Sequence, residues 1–123
     1  MSARILYVDD EPDIREVAAM AIELDPDLEV RTCESGEEAL AIAPDWKPDL
    51  ILLDVMMPSM DGPATLAALR ADGAAANIPV VFITARTQAH EAGRFLSLGA
   101  AGVIAKPFDP MTLADTVRTY LPA

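Results

Sequence analysis

The sequence contains a single cysteine and no long apolar segment. Cys33 cannot form an internal disulfide, so the chain has no disulfide framework and suits a reducing compartment. No apolar run approaches the roughly 18 residues that a membrane-spanning helix needs. The first residues carry no cleavable signal pattern either. We therefore expect a cytoplasmic protein that does not cross a membrane.

Basic residues are also scarce, and they are unevenly distributed. The chain has 9 Lys and Arg against 20 Asp and Glu, which gives a formal net charge of -11. Residues 1–61 hold 16 of the acidic residues and only 4 of the basic ones. Nucleic acid and anionic membranes would repel such a chain, so we expect neither of them as a partner.

The apolar residues that are present recur in short runs. The chain has 123 residues, 52% of them hydrophobic, which is enough for one core, and we assign residues 1–123 to a single domain. Continuous apolar runs occur at residues 5–8, 50–53, 80–83 and 103–105. They are typical of strands covered on both faces of a parallel sheet. Residues 28–33 instead alternate apolar and polar side chains, which predicts a strand at the edge of the sheet.

Helical patterns lie between the predicted strands. The first helix has one apolar stripe, formed by Ile14, Val17, Ala18, Ala21 and Ile22. A capping-box sequence that starts at Ser35 predicts a second helix ending before Pro44. A third helix follows the third strand, and a fourth ends at Gly99. The last helix is predicted to have Asp109 as its N-cap and Pro110 as its first residue.

Five strands that alternate with five helices predict an α/β fold. The expected architecture is a doubly wound, five-stranded parallel sheet with helices on both faces. Because the alternating strand is second in the sequence and lies at an edge, the flavodoxin-like order 2-1-3-4-5 fits best. Ligands of such sheets bind beyond the C-terminal ends of the strands, here between the first and third strands.

Polar side chains follow these strand ends. Asp9 and Asp10 follow the first strand and Asp54 the third, while Thr84 and Lys106 end the fourth and fifth. Crowded carboxylates repel one another unless a cation neutralises them, and ligands that are all oxygen favour Mg²⁺, or Mn²⁺ in its place. We predict that Asp54 is a nucleophile for phosphorus and that Asp9 and Asp10 surround the metal. Thr84 and Lys106 would contact the phosphoryl oxygens.

Taken together, these segments resemble the receiver domain of two-component response regulators. The motifs, which are in receiver order and at receiver spacing, are Val8-Asp9-Asp10-Glu11, Leu52-Leu53-Asp54-Val55-Met56-Met57-Pro58, Met60-Asp61-Gly62, Ile83-Thr84-Ala85 and Lys106-Pro107-Phe108. The resemblance implies that a sensor histidine kinase or a histidine phosphotransfer protein donates the phosphoryl group. It also implies a metal ligand from the backbone carbonyl of Met56, beside Asp54, and a cis peptide bond before Pro107.

The resemblance further implies a signalling phosphoacceptor rather than an enzyme. Such a domain catalyses only its own phosphorylation and dephosphorylation, and it acts by changing its contacts with a downstream protein. Many receivers carry Tyr or Phe where Val103 stands here. Valine has one dominant χ1 rotamer, so we expect the signal to run from Thr84 through the segment after the fourth strand, which includes Arg86 and Thr87.

Three other functions compete with this one. A haloacid-dehalogenase phosphatase needs a second Asp two residues after the nucleophile, where this chain has Met56. A flavin mononucleotide site needs a phosphate-binding loop after the first strand, where Asp9, Asp10 and Glu11 would repel the phosphate. The third is a receiver-like interaction module that is not phosphorylated. The intact set of five site residues argues against it, and it remains the alternative function.

Overall fold

Strands and helices alternate along the chain in the computed structural model, which describes residues 2–85 and 91–122. The strands are β1 (Ala3–Val8), β2 (Leu28–Cys33), β3 (Leu50–Asp54), β4 (Val80–Ala85) and β5 (Gly102–Lys106). The helices are α1 (Pro12–Glu23), α2 (Gly36–Trp46), α3 (Gly62–Ala71), α4 (Ala92–Ser97) and α5 (Leu113–Tyr120). The predicted alternation of elements is therefore confirmed. Arg86 and Thr87, to which we assigned the path of the signal, lie outside the described residues.

The five strands form one parallel sheet in the order β2-β1-β3-β4-β5. This confirms the predicted order and the position of β2 at an edge. Val8 of β1 lies opposite Leu53 of β3, and Asp54 of β3 lies opposite Ile83 of β4. The C-terminal ends of these strands are therefore level with one another, and the end of β5 at Lys106 is beside that of β4.

Both faces of the sheet are covered, which explains the continuous apolar runs. On one face, sheet residues such as Leu6, Leu53 and Phe82 form a buried cluster with residues of α2, α3 and α4. On the other face, residues such as Tyr7 and Leu52 form a second cluster with α1 and α5. Successive strand residues point to opposite faces, so every residue of β3 is buried.

The second helix does not end before Pro44, and that prediction was wrong. It begins as predicted, since the Ser35 hydroxyl accepts a hydrogen bond from the backbone N–H of Glu38 at 3.1 Å. It then continues through Pro44 to Trp46. Tertiary contacts hold this last turn: Arg4 Nη1 donates to the Trp46 carbonyl at 2.6 Å, and its guanidinium lies 5.6 Å from the centre of the indole ring. These contacts offset the hydrogen bond that proline cannot donate.

Two other local predictions need correction. The last helix begins at Leu113, because Asp109 forms a turn: its carboxylate accepts from the N–H of Met111 at 2.9 Å and its carbonyl from the N–H of Thr112 at 3.1 Å. Asp side chains favour such local bonds over a helix. In α1, Val17 is 42% exposed and does not belong to the buried stripe.

In the described part of the chain, every helix is too short or too polar to cross a bilayer.

Candidate functional site

A group of acidic side chains lies where β1 and β3 end. Asp9 directly follows β1 and is fully buried, and Asp54 is the last residue of β3 and 3% exposed. Asp10 and Glu11 continue the chain after Asp9 and are exposed. Since β1 and β3 are neighbours with level C-terminal ends, the sheet brings these carboxylates together. The sequence predicted this meeting point.

The carboxylate of Asp9 is held by hydrogen bonds to both of its oxygens. The backbone N–H of Glu11 donates to Oδ1 at 3.0 Å, and the hydroxyl of Tyr7 donates to Oδ2 at 3.1 Å. The backbone of Asp9 is fixed as well, because Arg15 Nη1 donates to its carbonyl at 2.7 Å. The sequence reasoning missed Tyr7. Its signal was the two-residue spacing to Asp9, which aims both side chains to the same side of an extended strand.

Lys106 brings a positive charge into this acidic group from the end of β5. Its Nζ lies 3.3 Å from Oδ2 of Asp9, 3.3 Å from Oδ2 of Asp54 and 3.4 Å from Oε1 of Glu11. The peptide bond from Lys106 to Pro107 is cis, as predicted. The contact with Glu11 was not predicted. The lysine therefore joins three carboxylates from two strand ends.

Burial and like charge set the electrostatics of the site. Burial, together with the nearby charge of Asp9, raises the pKa of Asp54 to about 6, although Lys106 opposes the rise. Burial alone would lower the pKa of Lys106, but the attraction of Asp54 and Asp9 outweighs burial and raises it. Burial, reinforced by Asp9, raises the pKa of Tyr7 well above its ordinary value, so its hydroxyl keeps its proton and donates.

The donor set of the site fits a hard cation. One carboxylate oxygen from each of Asp9, Asp10, Glu11 and Asp54 lies within 4.8 Å of the others. All of these donors are oxygens, as Mg²⁺ and Mn²⁺ prefer. Crowding them raises the electrostatic energy of the folded chain unless positive charge is supplied. The residues present therefore fit the divalent cation that the sequence predicted.

The remaining predicted residues lie at the same edge of the sheet. Thr84 is 1% exposed and follows Ile83, the residue of β4 that pairs with Asp54. The backbone N–H of Met56 donates to Oδ1 of Asp54 at 3.4 Å, while the side chain of Met56 is 64% exposed. All six predicted site residues are thus at the C-terminal edge of the sheet.

Gly62 determines how closely the loop after β3 folds back beneath the site. Its N–H donates to the carbonyl of Val55 at 2.9 Å. A Cβ atom at this position would lie only 2.7 Å from the carbonyl oxygen of Asp54 and 2.8 Å from the Cα of Val55. Because both of these are backbone atoms, only glycine fits. Asp61 then caps α3 by accepting from the N–H of Ala64 at 2.9 Å.

An apolar groove leads away from the site along the outer side of α1. Its first part has a volume of about 320 Å³ and is lined by Glu11, Ile14, Val17, Lys106, Pro107 and Phe108. A second part, of about 210 Å³, is lined by Val17, Met20, Ala21, Leu24 and Pro110. Val17 lines both parts, so they lie next to each other along α1. This explains why Val17 is exposed, although its spacing placed it in the core stripe.

The fold and the site together define a class of protein: an open α/β domain with a buried aspartate, an acidic pocket and a lysine at its C-terminal edge. Residues 5–118 match the family described as the response regulator receiver domain. The chain belongs to this family, whose members act in phosphorylation-based two-component signalling.

Individual relatives agree with this assignment. The chain is 38% identical over 117 residues to the phosphate regulon transcriptional regulatory protein PhoB of Pseudomonas aeruginosa, with 95% of this chain and 51% of that protein covered. It is 43% identical over 121 residues to the response regulator PleD of Caulobacter vibrioides, with 97% of this chain and 26% of that protein covered. It thus spans about half of one relative and a quarter of the other.

A solved structure of similar size shows the same fold. The chemotaxis response regulator CheY4 of Vibrio cholerae superposes with a TM-score of 0.87 at 34% sequence identity. The match covers 98% of this chain and 100% of that one. This match confirms the predicted flavodoxin-like architecture over nearly the whole chain.

Proposed function

We propose that Asp54 accepts a phosphoryl group from a phosphohistidine of a sensor histidine kinase or a histidine phosphotransfer protein. The observation that carries this proposal is the placement of Asp54: a buried carboxylate in an acidic pocket, with the Lys106 ammonium 3.3 Å from its Oδ2. The domain would act on no other substrate, and it would catalyse only its own phosphorylation and dephosphorylation. The lone buried thiol supports a reducing compartment, and we place the protein in the cytoplasm.

In the proposed reaction, one carboxylate oxygen of Asp54 attacks the phosphorus atom of the donor. A P–O bond forms as the P–N bond to the donor imidazole breaks, and the electron pair of that bond stays on the imidazole nitrogen, which takes up a proton. The product is an acyl phosphate on Asp54. Because phosphoryl transfer involves little covalent chemistry by the protein, catalysis rests on positioning and on charge neutralisation.

Asp9, Asp10, Asp54 and the backbone carbonyl of Met56 would hold a Mg²⁺ or Mn²⁺ ion. When bound, the ion supplies positive charge that offsets the crowded carboxylates and the phosphoryl oxygens. Glu11 reaches the same pocket and contacts Lys106 at 3.4 Å, but it is not among the ligands proposed here.

Lys106 and Thr84 would stabilise the phosphoryl group after transfer. The side chain of Lys106 is only 17% exposed and its ammonium already lies beside Oδ2 of Asp54, so a small movement brings it to a new phosphoryl oxygen. The hydroxyl of Thr84 would donate a hydrogen bond to another oxygen. Such charge-assisted bonds are about twice as strong as neutral ones, and they exist only in the phosphorylated state.

We further propose that the phosphodonor docks in the groove beside α1. The groove begins at Lys106, next to Asp54, and its exposed apolar residues include Val17 and Met20 of α1 and Leu24, which directly follows α1. A donor histidine that approaches Asp54 would bring its own helix over this surface. Ile14 and Arg15, in the first turn of α1, are the positions nearest the site at which this contact could be tested. Arg15 is unsuitable, because it donates to the carbonyl of Asp9 and its loss would disturb the site itself.

A better test of docking uses Val17→Thr together with Met20→Gln. Both side chains are exposed, so we expect the change in stability to stay within about 0.5 kcal/mol. Phosphotransfer from a histidine phosphotransfer protein charged with phosphohistidine should slow, while phosphorylation by acetyl phosphate should not. Leu96→Gln, an equally exposed change on α4, is the control and should affect neither rate. Equal slowing with both donors would contradict the docking proposal.

The main test of the function is labelling by acetyl phosphate, followed by intact mass spectrometry. The wild-type chain should gain one phosphoryl group in the presence of Mg²⁺, and it should not be labelled when a chelator removes the ion beforehand. Asp54→Asn should not be labelled, although it folds. Full labelling of that variant at another residue would refute the role of Asp54. Absence of labelling in the wild-type chain would favour the interaction module that is not phosphorylated.

A phosphoryl mimic tests how the signal leaves the site. Val103 is half-buried and packs against the core cluster beside α4, so we expect it to keep its rotamer. The differential contact would be that of Thr84 with the phosphate. Amide NMR shifts with and without beryllofluoride should change most from residue 84 to residue 95 and around Lys106. Changes confined to the acidic pocket would contradict a propagated rearrangement.

A further inference from the structure

Within residues 2–85 and 91–122, the hydroxyl of Tyr7 provides the carboxylate of Asp9 with a neutral side-chain donor. Tyr7 lies near the end of β1 and is fully buried. Its hydroxyl donates to Oδ2 of Asp9 at 3.1 Å. Its ring packs edge-on against Phe108, with 6.4 Å between the ring centres and 75° between their planes. The hydroxyl is therefore aimed at Asp9 by a ring that has little room to turn.

The contacts of Asp9 leave its carboxylate little freedom. Oδ2 accepts from Tyr7 and from Lys106 Nζ, and Oδ1 accepts from the N–H of Glu11. A carboxylate offers about four lone-pair positions, so about one remains for another ligand. The orientation of this fully buried group is therefore restrained by these donors, since it has no exposed surface through which it could turn toward water.

Between Tyr7 and Lys106, the neutral donor Tyr7 is the better suited to a site that also binds a cation. Lys106 carries a positive charge, which a divalent ion would repel, and it is shared with Asp54 and Glu11. In the proposed function Lys106 moves to a phosphoryl oxygen on Asp54 and loosens its contact with Asp9. The neutral hydroxyl of Tyr7 repels no cation and need not move. Asp9 thus keeps a donor in every state of the site.

We propose that Tyr7 is a positioning residue for the cation site, holding the carboxylate of Asp9 in the orientation in which it meets Asp10 and Asp54. This inference rests on the proposed function, because it assumes that the acidic pocket binds Mg²⁺. The competing explanation is that Tyr7 serves the core only, through its ring. Replacing Tyr7 with Phe separates the two, since phenylalanine keeps the ring and removes only the hydroxyl.

The test is isothermal titration of the purified chain with MgCl₂. Loss of a partner that orients a metal ligand typically weakens metal binding about 10- to 100-fold, and for Tyr7→Phe we expect the lower end, about tenfold. Tyr120→Phe is the matched control, because this half-buried tyrosine packs on Gly102, away from the site, and its Kd should stay within about twofold. A Kd for Tyr7→Phe equal to that of the wild-type chain would overturn the proposal.

A double-mutant cycle with Asp9→Asn shows whether Tyr7 acts through Asp9. If it does, adding Tyr7→Phe to Asp9→Asn should not weaken Mg²⁺ binding further. A second full tenfold loss would show that the hydroxyl acts in another way and would overturn the assignment. If the wild-type chain itself binds no Mg²⁺, the proposed cation site fails and this inference fails with it. If the wild-type chain binds Mg²⁺ and Tyr7→Phe binds it with the same Kd, the inference about Tyr7 fails while the proposed cation site stands.

A measurement on the wild-type chain keeps the proposal testable even if the variant does not fold. The hydroxyl proton of Tyr7 is buried and hydrogen-bonded, so it should exchange slowly with water and give its own proton NMR resonance. That resonance should persist when MgCl₂ and then beryllofluoride are added. Its disappearance on adding MgCl₂ would mean that Tyr7 releases Asp9 when the ion binds, which contradicts a positioning role.

Discussion

Replacing Asp54 with Asn should make the folded protein more stable when no divalent cation is present. The carboxylate of Asp54 is 3% exposed and lies near that of Asp9, and its pKa is raised from 3.8 to about 6, first by burial and then by that charge. The folded state therefore disfavours the ionised form more than the unfolded state does. Asparagine has nearly the same shape and no charge, so it removes this penalty.

The size and pH dependence of the effect follow from the pKa. A rise from 3.8 to about 6 corresponds to about 3 kcal/mol of free energy. Below about pH 4 Asp54 is protonated in both states and carries no penalty; stability is lost as the pH rises toward 6, and the loss is complete above that. The opposing attraction of Lys106 is already included in this rise, so we expect Asp54→Asn to gain up to about 3 kcal/mol at pH 8.

Urea unfolding followed by circular dichroism, with a chelator present, measures this gain. For a domain of this size, a stability difference of 1 kcal/mol shifts the Tm by about 4 °C. Thermal unfolding should therefore also distinguish the two proteins. The difference between them should shrink as the pH falls from 6 to 4. Asp45→Asn makes the same change of charge on the exposed surface of α2 and should alter stability by less than about 0.5 kcal/mol.

Adding Mg²⁺ should reverse part of the difference. An ion that binds only the folded state stabilises it by about 1.4 kcal/mol at ten times its Kd, and the wild-type chain should gain more than Asp54→Asn. If the variant is no more stable than the wild-type chain at pH 8 without the ion, or if its advantage does not depend on pH, the electrostatic reasoning is refuted.

Three further predictions concern other parts of the molecule. Arg118 of α5 donates to Asp25 and lowers the pKa of that carboxyl, so Arg118→Met should reduce the Tm at neutral pH. The difference in Tm from the wild-type chain should vanish as the pH falls through the pKa of Asp25, and a difference that does not depend on pH would contradict this. Gly102→Ala should lower the free energy of unfolding by about 1 to 3 kcal/mol in urea titrations, because the new Cβ would lie 2.3 Å from the ring of Tyr120. Adding Tyr120→Leu to this variant should restore part of the lost stability. Burial raises the pKa of the Cys33 thiol to about 11, so a thiol reagent should modify it slowly at pH 8 until urea unfolds the chain. Rapid modification of the folded chain would instead show that the thiol is accessible.

Much of the fold was predictable because it depends on short patterns. Continuous apolar runs indicated strands covered on both faces, and the alternating run at Leu28–Cys33 indicated the edge strand. With the order 2-1-3-4-5 in hand, the rule that parallel strands present their C-terminal ends on one side was enough to bring Asp9, Asp54 and Lys106 to one place. Each of these inferences uses residues that are neighbours in the sequence, together with a general rule of sheet topology.

The predictions that failed depended on contacts between distant residues. The spacing of Val17 fitted a buried stripe, but among the residues that the structure describes no element covers this side chain, which lines an open groove. Helix α2 continues past Pro44 because Arg4, 42 residues before Trp46, holds its last turn. A helical period or a helix-breaking residue cannot reveal which partner lies across from it.

The sequence by itself determined the class of fold, the order of the strands and the identity of the acidic and basic residues at their ends. Only the tertiary structure decided how those side chains meet. Lys106 contacts Asp9 across 97 residues of chain, and this contact depends on where β5 ends relative to β1. The bond from the Tyr7 hydroxyl to Asp9 depends equally on the packing of its ring against Phe108. Local patterns fix backbone conformation, whereas the direction of a buried polar side chain is fixed by neighbours that folding alone supplies.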